Sequence, residues 1–368
     1  MKIPLIDLKS QHESIEKEIK EAIHLVIKGG KFILGENVKN LEKEIAEFTN
    51  TKYGIGVANG TDALQLTLEA YGIGKGDEVI TTPFTFFATA EAISQVGGTP
   101  VFVDIDKDTY NIDVNKVEEK ITGKTKAIIP VHLFGQPADM DKIIDIGNKH
   151  NLIIIEDACQ AIGAIYKGRK IGSIGHAGCF SFFPTKNLGC MGDGGMVVTN
   201  DEIIAKSLRM LRFHGQKVKY FNEMLGYNSR LDEIQGAILR VKLKYLLQWN
   251  EKRRKIACRY NRLLENIPVK IPVEIDHIYS VYHLYVVQLD KRDNLRSYLK
   301  GKGIDTGIYY PLPLHLQRAY KELNYEKGDF PVAEHVSKKT LALPIYPEMT
   351  EGMQGYIVEN IREFYSSR

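Results

Sequence analysis

Residues 180–195, reading FSFFPTKNLGCMGDGG, set one lysine, Lys186, between an aromatic strand-like run and a cluster of glycines. A lysine presented on a tight loop against an apolar wall is partly stripped of water, and a desolvated ammonium gives up its proton more easily than a solvated one. The free amine can then attack a carbonyl carbon and form a Schiff base. An exposed loop lysine would fit the same local pattern, so the chemistry depends on partners elsewhere in the chain. Gly192, Gly194 and Gly195 are expected to supply a flexible backbone that lets this loop approach a ligand.

Three further stretches offer such partners. In NGTDALQL, residues Gly60, Thr61 and Asp62 open a segment whose Leu64, Thr67, Leu68 and Tyr71 have helical spacing. Free backbone N–H groups and a hydroxyl at a helix start can receive a phosphate, although ordinary capping also accounts for Thr61 and Asp62. In PFTFFATAEAI, Phe86 could lay its ring against a planar ligand, with core filling as the competing explanation. In EDACQAIGA, Glu156 and Asp157 end an apolar strand, which is where open α/β sheets place ligands, and a carboxylate there can keep a heterocyclic nitrogen protonated.

Phosphate anchors at Thr61, Asp62 and Ser181, a stacking ring at Phe86, an acid at Asp157 and an amine at Lys186 together form the set that pyridoxal 5'-phosphate requires. Neither a GxGxxG after the first strand nor a GxxxxGK[ST] occurs, which removes the dinucleotide and P-loop readings.

The elements that must position these groups are legible as alternating patterns. Ile15, Ile19, Ala22, Ile23 and Val26 share one helical face, and Val38, Leu41, Ile45 and Phe48 share another after Gly35. Apolar, β-branched runs recur at GIGVA, EVITT, PVFVDI, KAIIPV, LIIIED and GMVVTN with helix-compatible stretches between them, which predicts an α/β fold with a large, mostly parallel sheet flanked by helices. The pattern changes near residues 246–256, and a smaller C-terminal α+β domain is expected beyond it, dividing the chain into residues 1–250 and 251–368. The basic run LLQWNEKRRKIACRYNRLL in that region reads as a solvated helix face rather than a diphosphate site.

At 368 residues, 43% hydrophobic and 26% charged, the chain has the composition of an ordinary globular protein with a sizeable core. A net charge of +3 does not point to nucleic acid, no apolar run reaches the length of a membrane span, and the N-terminus turns polar too early for a secretory signal, so a cytoplasmic location is expected. Cys159, Cys179, Cys190 and Cys258 lack metal-site or disulfide-scaffold spacing, and the ten histidines are scattered, so free thiols and no metal are expected.

Across nearly its whole length the chain resembles the pyridoxal-phosphate-dependent sugar aminotransferases of the DegT/DnrJ/EryC1 group. The matching stretches are IPLIDLKSQ, FILGENVKNLEKEIAEF, NGTDALQL, TPFTFFATAEAI, PVHLFGQPADMD, EDACQAIGA, FSFFPTKNLGCMGDGG, GYNSRLDEIQGAIL and YYPLPLHLQ. The resemblance implies fold type I of the pyridoxal enzymes, with a seven-stranded type of sheet. It implies Lys186 as the Schiff-base lysine, Asp157 as partner of the pyridine nitrogen and Gln160 as neighbour of the phenolic oxygen. Gly60, Thr61, Asp62 and Ser181 match phosphate-binding positions, and Phe86 matches the stacking aromatic. GYNSRLDEIQGAIL looks like a loop that enters the neighbouring subunit of a homodimer, bringing Asn228 to the partner's cofactor phosphate and Arg230 near its substrate. Tyr310 and His315 match a segment bordering the sugar cleft, while Tyr309 stands where many members carry histidine, a departure that removes the usual proton-handling group there.

The reaction implied is transfer of an amino group, with L-glutamate as donor, to a nucleotide-linked keto-sugar. Gln160 and the NSRLDE form are more similar to members acting at a 3-keto than at a 4-keto position. Dehydratases of this fold carry histidine in place of the lysine, which Lys186 opposes. A non-catalytic regulator that binds the cofactor or a sugar has no need of a free amine.

Overall fold

A computed structural model describes residues 1–366. Seven strands form its main sheet: β1 (Tyr53–Val57), β2 (Glu78–Thr81), β3 (Thr99–Phe102), β4 (Thr125–Ile128), β5 (Ile153–Asp157), β6 (Ala177–Ser181) and β7 (Gly195–Thr199). Their spatial order is β1-β7-β6-β5-β4-β2-β3. Only β7 runs against its neighbours; the other pairings from β6 to β3 are parallel. The expected mostly parallel sheet is therefore present, and the strand-like run that precedes Lys186 supplies β6 next to the antiparallel β7.

Alternation along the strands sorts their side chains into two apolar layers. Ala127, Ile129, Ile155, Cys179 and Val197 pack with Leu64, Leu68, Leu208 and Leu211 on one face. Ile128, Ile154, Phe180, Met196 and Val198 pack with Leu41, Ile45, Ile143 and Leu239 on the other. The helices Gly60–Ala70 and Glu202–Leu211 cover the first face, and Glu36–Thr49, Met140–His150 and Glu233–Leu243 the second. Each fully buried Ile or Leu contributes about 1.5–3 kcal/mol, so both faces of the sheet are committed and only its ends are free for chemistry.

A second core gathers Ile256, Tyr260, Tyr285, Val287, Leu295, Leu341, Ile357 and Phe364 around the antiparallel pair β8 (Tyr285–Gln288) and β9 (Thr340–Leu343). Ile3 belongs to this core, with its N–H 2.8 Å from the Gly303 carbonyl and its own carbonyl accepting from Asp305 N at 2.9 Å. A division at residue 250 therefore does not follow the packing at the N-terminus, because a chain end can pair with any strand-like neighbour that leaves backbone groups free. The helix Leu246–Leu263 bridges the two bodies, with Leu246 in the large core and Ile256 in the second. Its basic run is not simply solvated. Arg253 is 3% exposed and donates to the carbonyls of Tyr282, His283 and Ile345 at 3.4, 3.3 and 3.0 Å, and burial lowers its pKa to about 10.

Lys242, in the last turn of Glu233–Leu243, is fully buried and braces the loop after Lys186, donating to the Gly189 carbonyl at 2.7 Å and lying 3.1 Å from His12 Nε2. Burial lowers its pKa from 10.5 to about 8, against an opposing pull from Cys190. The unfolded chain holds a proton on this lysine throughout the window from about 8 to 10.5 in which the folded chain has released it. The Lys242 contribution to stability is thus smallest below pH 8 and grows as pH rises through that window. In thermal or denaturant unfolding, wild type should gain up to about 3 kcal/mol relative to Lys242→Met between pH 8 and 10.5; a difference that stays flat with pH would contradict this account.

Candidate active site

The carboxyl ends of β1, β2, β5 and β6 open into one cavity of about 600 Å³, at the edge where parallel strands leave their following loops free. Its lining includes Gly60, Thr61, Phe86, Asp157, Gln160, Ser181, Lys186 and Tyr310. Residues more than a hundred positions apart in the chain thus face one another.

Neighbouring carboxylates at the end of β5 are sent to opposite faces by strand alternation. Glu156 is fully buried and accepts from the backbone N–H groups of Gly172, Ile174 and Gly175 at 2.8, 2.7 and 2.7 Å, with His132 Nε2 at 3.1 Å. It is a structural anchor. Asp157 turns to the cavity, where Thr89 Oγ1 donates to one carboxylate oxygen at 2.7 Å and Cys159 N to the other at 3.2 Å. Two donors fix the plane of this anion, as recognition of one ring nitrogen requires.

Lys186 is half-buried in the lining of the same cavity, its backbone N–H tied to the Phe183 carbonyl at 2.8 Å. Burial holds its amine below the ordinary lysine pKa, against the opposing pull of Cys159 and Asp157. A larger share of free amine at neutral pH follows. Phe180 and Phe182 are buried in the large core, whereas Phe183 is half exposed at the cavity.

At the end of β1, Asn59 caps the helix Gly60–Ala70 by accepting from Asp62 N at 2.8 Å. Gly60 is required there, because a Cβ would stand 2.6 Å from that of Ser181. Gly195 is likewise a matter of close approach and not of flexibility: it lies in β7, paired with both Val57 and Ser181, and a Cβ on it would collide with the Asn59 carbonyl. The expectation of a flexible glycine backbone is corrected at this position. The exposed face of Phe86 lies beside the Tyr310 ring, centroids 6.3 Å apart. Gln160 is held from both sides, accepting from Phe134 N at 2.8 Å and donating to Tyr310 Oη at 3.0 Å. These groups fit pyridoxal 5'-phosphate: a helix start with a glycine-cleared cradle for the phosphate, an open aromatic face for the ring, a fixed carboxylate for its nitrogen and a desolvated amine for its aldehyde.

Two residues expected in this cavity, Asp62 and His315, are not brought to it, and Asn228 and Arg230, expected to serve a neighbouring subunit, also lie outside its lining. The Asp62 carboxylate points away and accepts from Ser229 Oγ at 2.6 Å, while its backbone N–H is taken by Asn59. A carboxylate beside a phosphate would repel it, which is reason enough for that orientation. Asn228 is exposed and Arg230 half-buried on a surface segment, the guanidinium 5.3 Å from the centroid of Phe213. His315 is 2% exposed and pairs through Nε2 with Glu334 at 3.1 Å, while its neighbours Leu314 and Gln317 line the cavity. Burial lowers its pKa against the raising influence of Glu334, so it packs as a core histidine.

Other lining residues escaped the sequence reading. Thr89 sits in the quoted PFTFFATAEAI stretch, four residues after Thr85, and only the fold shows that it meets Asp157. His283 interrupts the apolar run SVYHLYVVQL, a signal in itself, and lies in the cavity wall with Lys186. Its Nδ1 is 3.2 Å from Asn187 Oδ1. Asn187 is oriented by donating to the Val281 carbonyl at 3.0 Å and to Asn250 Oδ1 at 2.8 Å, so its oxygen must face the imidazole and Nδ1 must carry the proton. Burial, aided by Lys186 and Arg253, drives the His283 pKa well below the ordinary value. In nitrogen-15 spectra of the cofactor-free protein at pH 6, His283 should appear neutral with its proton on Nδ1, and Asn187→Ala should abolish that tautomer preference; an imidazolium signal at pH 6 would refute the assignment.

Comparison with known proteins agrees with this geometry. The model of the DegT/DnrJ/EryC1/StrS aminotransferase family matches residues 13–362. A pleiotropic regulatory protein of Geobacillus stearothermophilus is 52% identical over 368 residues, 99% of each chain. The UDP-N-acetyl-3-dehydro-alpha-D-glucosamine 3-aminotransferase of Acidithiobacillus ferrooxidans is 45% identical over 98% of this chain and 97% of its own. The crystal structure of S. venezuelae DesV in complex with a ketimine intermediate superposes with a TM-score of 0.97 at 43% identity, over 99% of this chain and 98% of that one. A cavity that joins the desolvated Lys186 to the fixed carboxylate of Asp157, inside a fold shared along its full length, makes this chain a member of the DegT/DnrJ/EryC1/StrS aminotransferase family and a pyridoxal-phosphate-dependent enzyme.

Proposed function

We propose that this enzyme aminates a nucleotide-linked sugar at a 3-keto carbon, takes the nitrogen from L-glutamate, and works as a cytoplasmic homodimer. The observation that carries the reading is the placement of Lys186 and Asp157 in the walls of one cavity, with a helix start at its base. The preference for the 3-position is supported by Gln160 and by the 45% identical relative whose name specifies a 3-aminotransferase.

Pyridoxal phosphate, when bound, supplies a carbon that accepts amines and a ring that takes up the electrons of a breaking C–H bond. The chain's own groups divide the remaining work. Asp157, immobilised by Thr89 and Cys159, keeps a negative charge where a ring nitrogen must stay protonated. Gly60 and Thr61 offer backbone N–H groups at the positive end of the helix Gly60–Ala70, which holds a phosphate without a cationic side chain. With its amine free, Lys186 would take up the proton lost from the substrate carbon and return it on the way to product, a general acid/base role worth about 10² to 10⁴ in rate. Its lowered pKa suits that task, because a fully protonated lysine could only donate.

A second reading, a ligand-binding regulator, is favoured by one observation, the name of the 52% identical relative. Turnover separates the two. With glutamate and a panel of nucleotide-linked 3-keto and 4-keto sugars, the holoenzyme should place a new amine at C3, and its visible absorption should bleach on adding glutamate alone. Lys186→Ala should lose transamination by at least about 10³-fold together with the visible band. Colour with no turnover on any member of the panel would favour the regulator, and an amine at C4 would overturn the positional assignment.

A further inference from the structure

The carboxylate of Asp62 and the segment Tyr227–Arg230 carry an arrangement that the cofactor site by itself does not explain. Asn228 pairs antiparallel with Phe213, and Ser229 N donates to the Arg212 carbonyl at 2.9 Å, so this short stretch is extended. In extended backbone successive side chains face opposite ways. Ser229 faces inward and is 1% exposed; Asn228 is exposed, and Arg230 is half-buried across the Phe213 ring. The inward hydroxyl donates to Asp62 Oδ2 at 2.6 Å and accepts from Ala58 N at 3.2 Å. One serine thus grips the turn between β1 and the helix Gly60–Ala70, the same turn that lines the cavity with Asn59, Gly60 and Thr61. A short hydrogen bond to a carboxylate is among the strongest such links, and here its donor is buried while the Asp62 carboxylate is partly exposed.

We propose that Ser229 and Asp62 form a tether that positions Asn228 and Arg230 for the active site of a second copy of this chain, so that each protomer's phosphate-binding turn is the foundation for the arm serving its partner. The proposal rests on the homodimeric reading given above. It assigns Asp62 a role in place of phosphate contact, and it makes Ser229 a positioning residue whose effect is felt in trans. Neither residue need touch a ligand.

The test uses holoenzyme heterodimers purified through two different tags. Lys186→Ala mixed with Arg230→Ala first checks that sites are shared: the mixture should recover activity at one site per dimer, and failure to recover would overturn the shared-site reading itself. Ser229→Ala is then placed either on the chain that carries the live lysine or on its Lys186→Ala partner. Activity should fall by about tenfold more when the change sits on the lysine-deficient chain, because that chain supplies the arm to the only live site. Asp62→Asn, which keeps an acceptor for the hydroxyl, should show a smaller loss with the same dependence on chain than Asp62→Ala. Amide hydrogen exchange of the cofactor-free Ser229→Ala homodimer should quicken in residues 227–230 while the helix at residues 60–70 keeps its protection. Given successful recovery in the first mixture, equal losses from either chain, or a loss confined to the chain with the live lysine, would defeat the tether.

Discussion

Everything in the site depends on how the end of β5 disposes of two adjacent carboxylates. A buried carboxylate is tolerable only when its oxygens are fully engaged, and Glu156 meets that condition with three backbone N–H groups and the His132 ring. His132 in turn accepts from Ala138 N at Nδ1, which leaves the proton on the nitrogen facing Glu156. With Glu156 locked into the loop at residues 172–175, the strand has no freedom to rotate or slip, since a one-residue shift would exchange the two acids. Asp157 is therefore held toward the cavity as a consequence of its neighbour's burial.

The lysine side of the cavity is braced by a different means. Asn187, Asn250, Arg253 and Lys242 are all buried polar groups that spend their donors on side-chain oxygens and main-chain carbonyls around the loop that follows β6. Backbone carbonyls from residues 162, 189, 281 and 345 receive these donors, so the large sheet, the active-site loop and the second core are joined by hydrogen bonds as well as by apolar contact. The same burial that makes these groups rigid lowers the Lys186 pKa, so positioning and activation of the amine share one physical cause. The antiparallel strand β7 closes the arrangement because Gly195 lets it lie between β1 and β6 with no side chain in the way.

Much of this was legible in the chain. Period-two and period-3.6 apolar patterns located the sheet strands and the helices that cover them, because burial of both sheet faces leaves few choices of residue. Lys186, Asp157, Phe86 and Ser181 could be singled out because ligand binding demands particular residue types next to strand ends, and the fold does bring all four to one cavity. Other assignments could not be read, for definite reasons. Asp62 has the right identity and position for a phosphate site, but the direction of its side chain depends on Ser229, 167 residues away. His315 lies in a matching segment, yet its ring is turned to Glu334 by packing against Phe330. Ile3 has no local signal that it completes the core of the other end of the chain.

The sequence by itself determined the α/β layering and the cofactor, since these follow from local periodicity and from residue types no other common cofactor requires together. Tertiary structure alone decided which of two adjacent acids faces the cavity, which asparagine orients His283, and which aspartate is turned to a serine hydroxyl instead of the cavity. Each of those outcomes is a direction in space set by partners distant in the chain. Residue identity limits what a side chain can bond, and only the folded geometry selects the partner it meets.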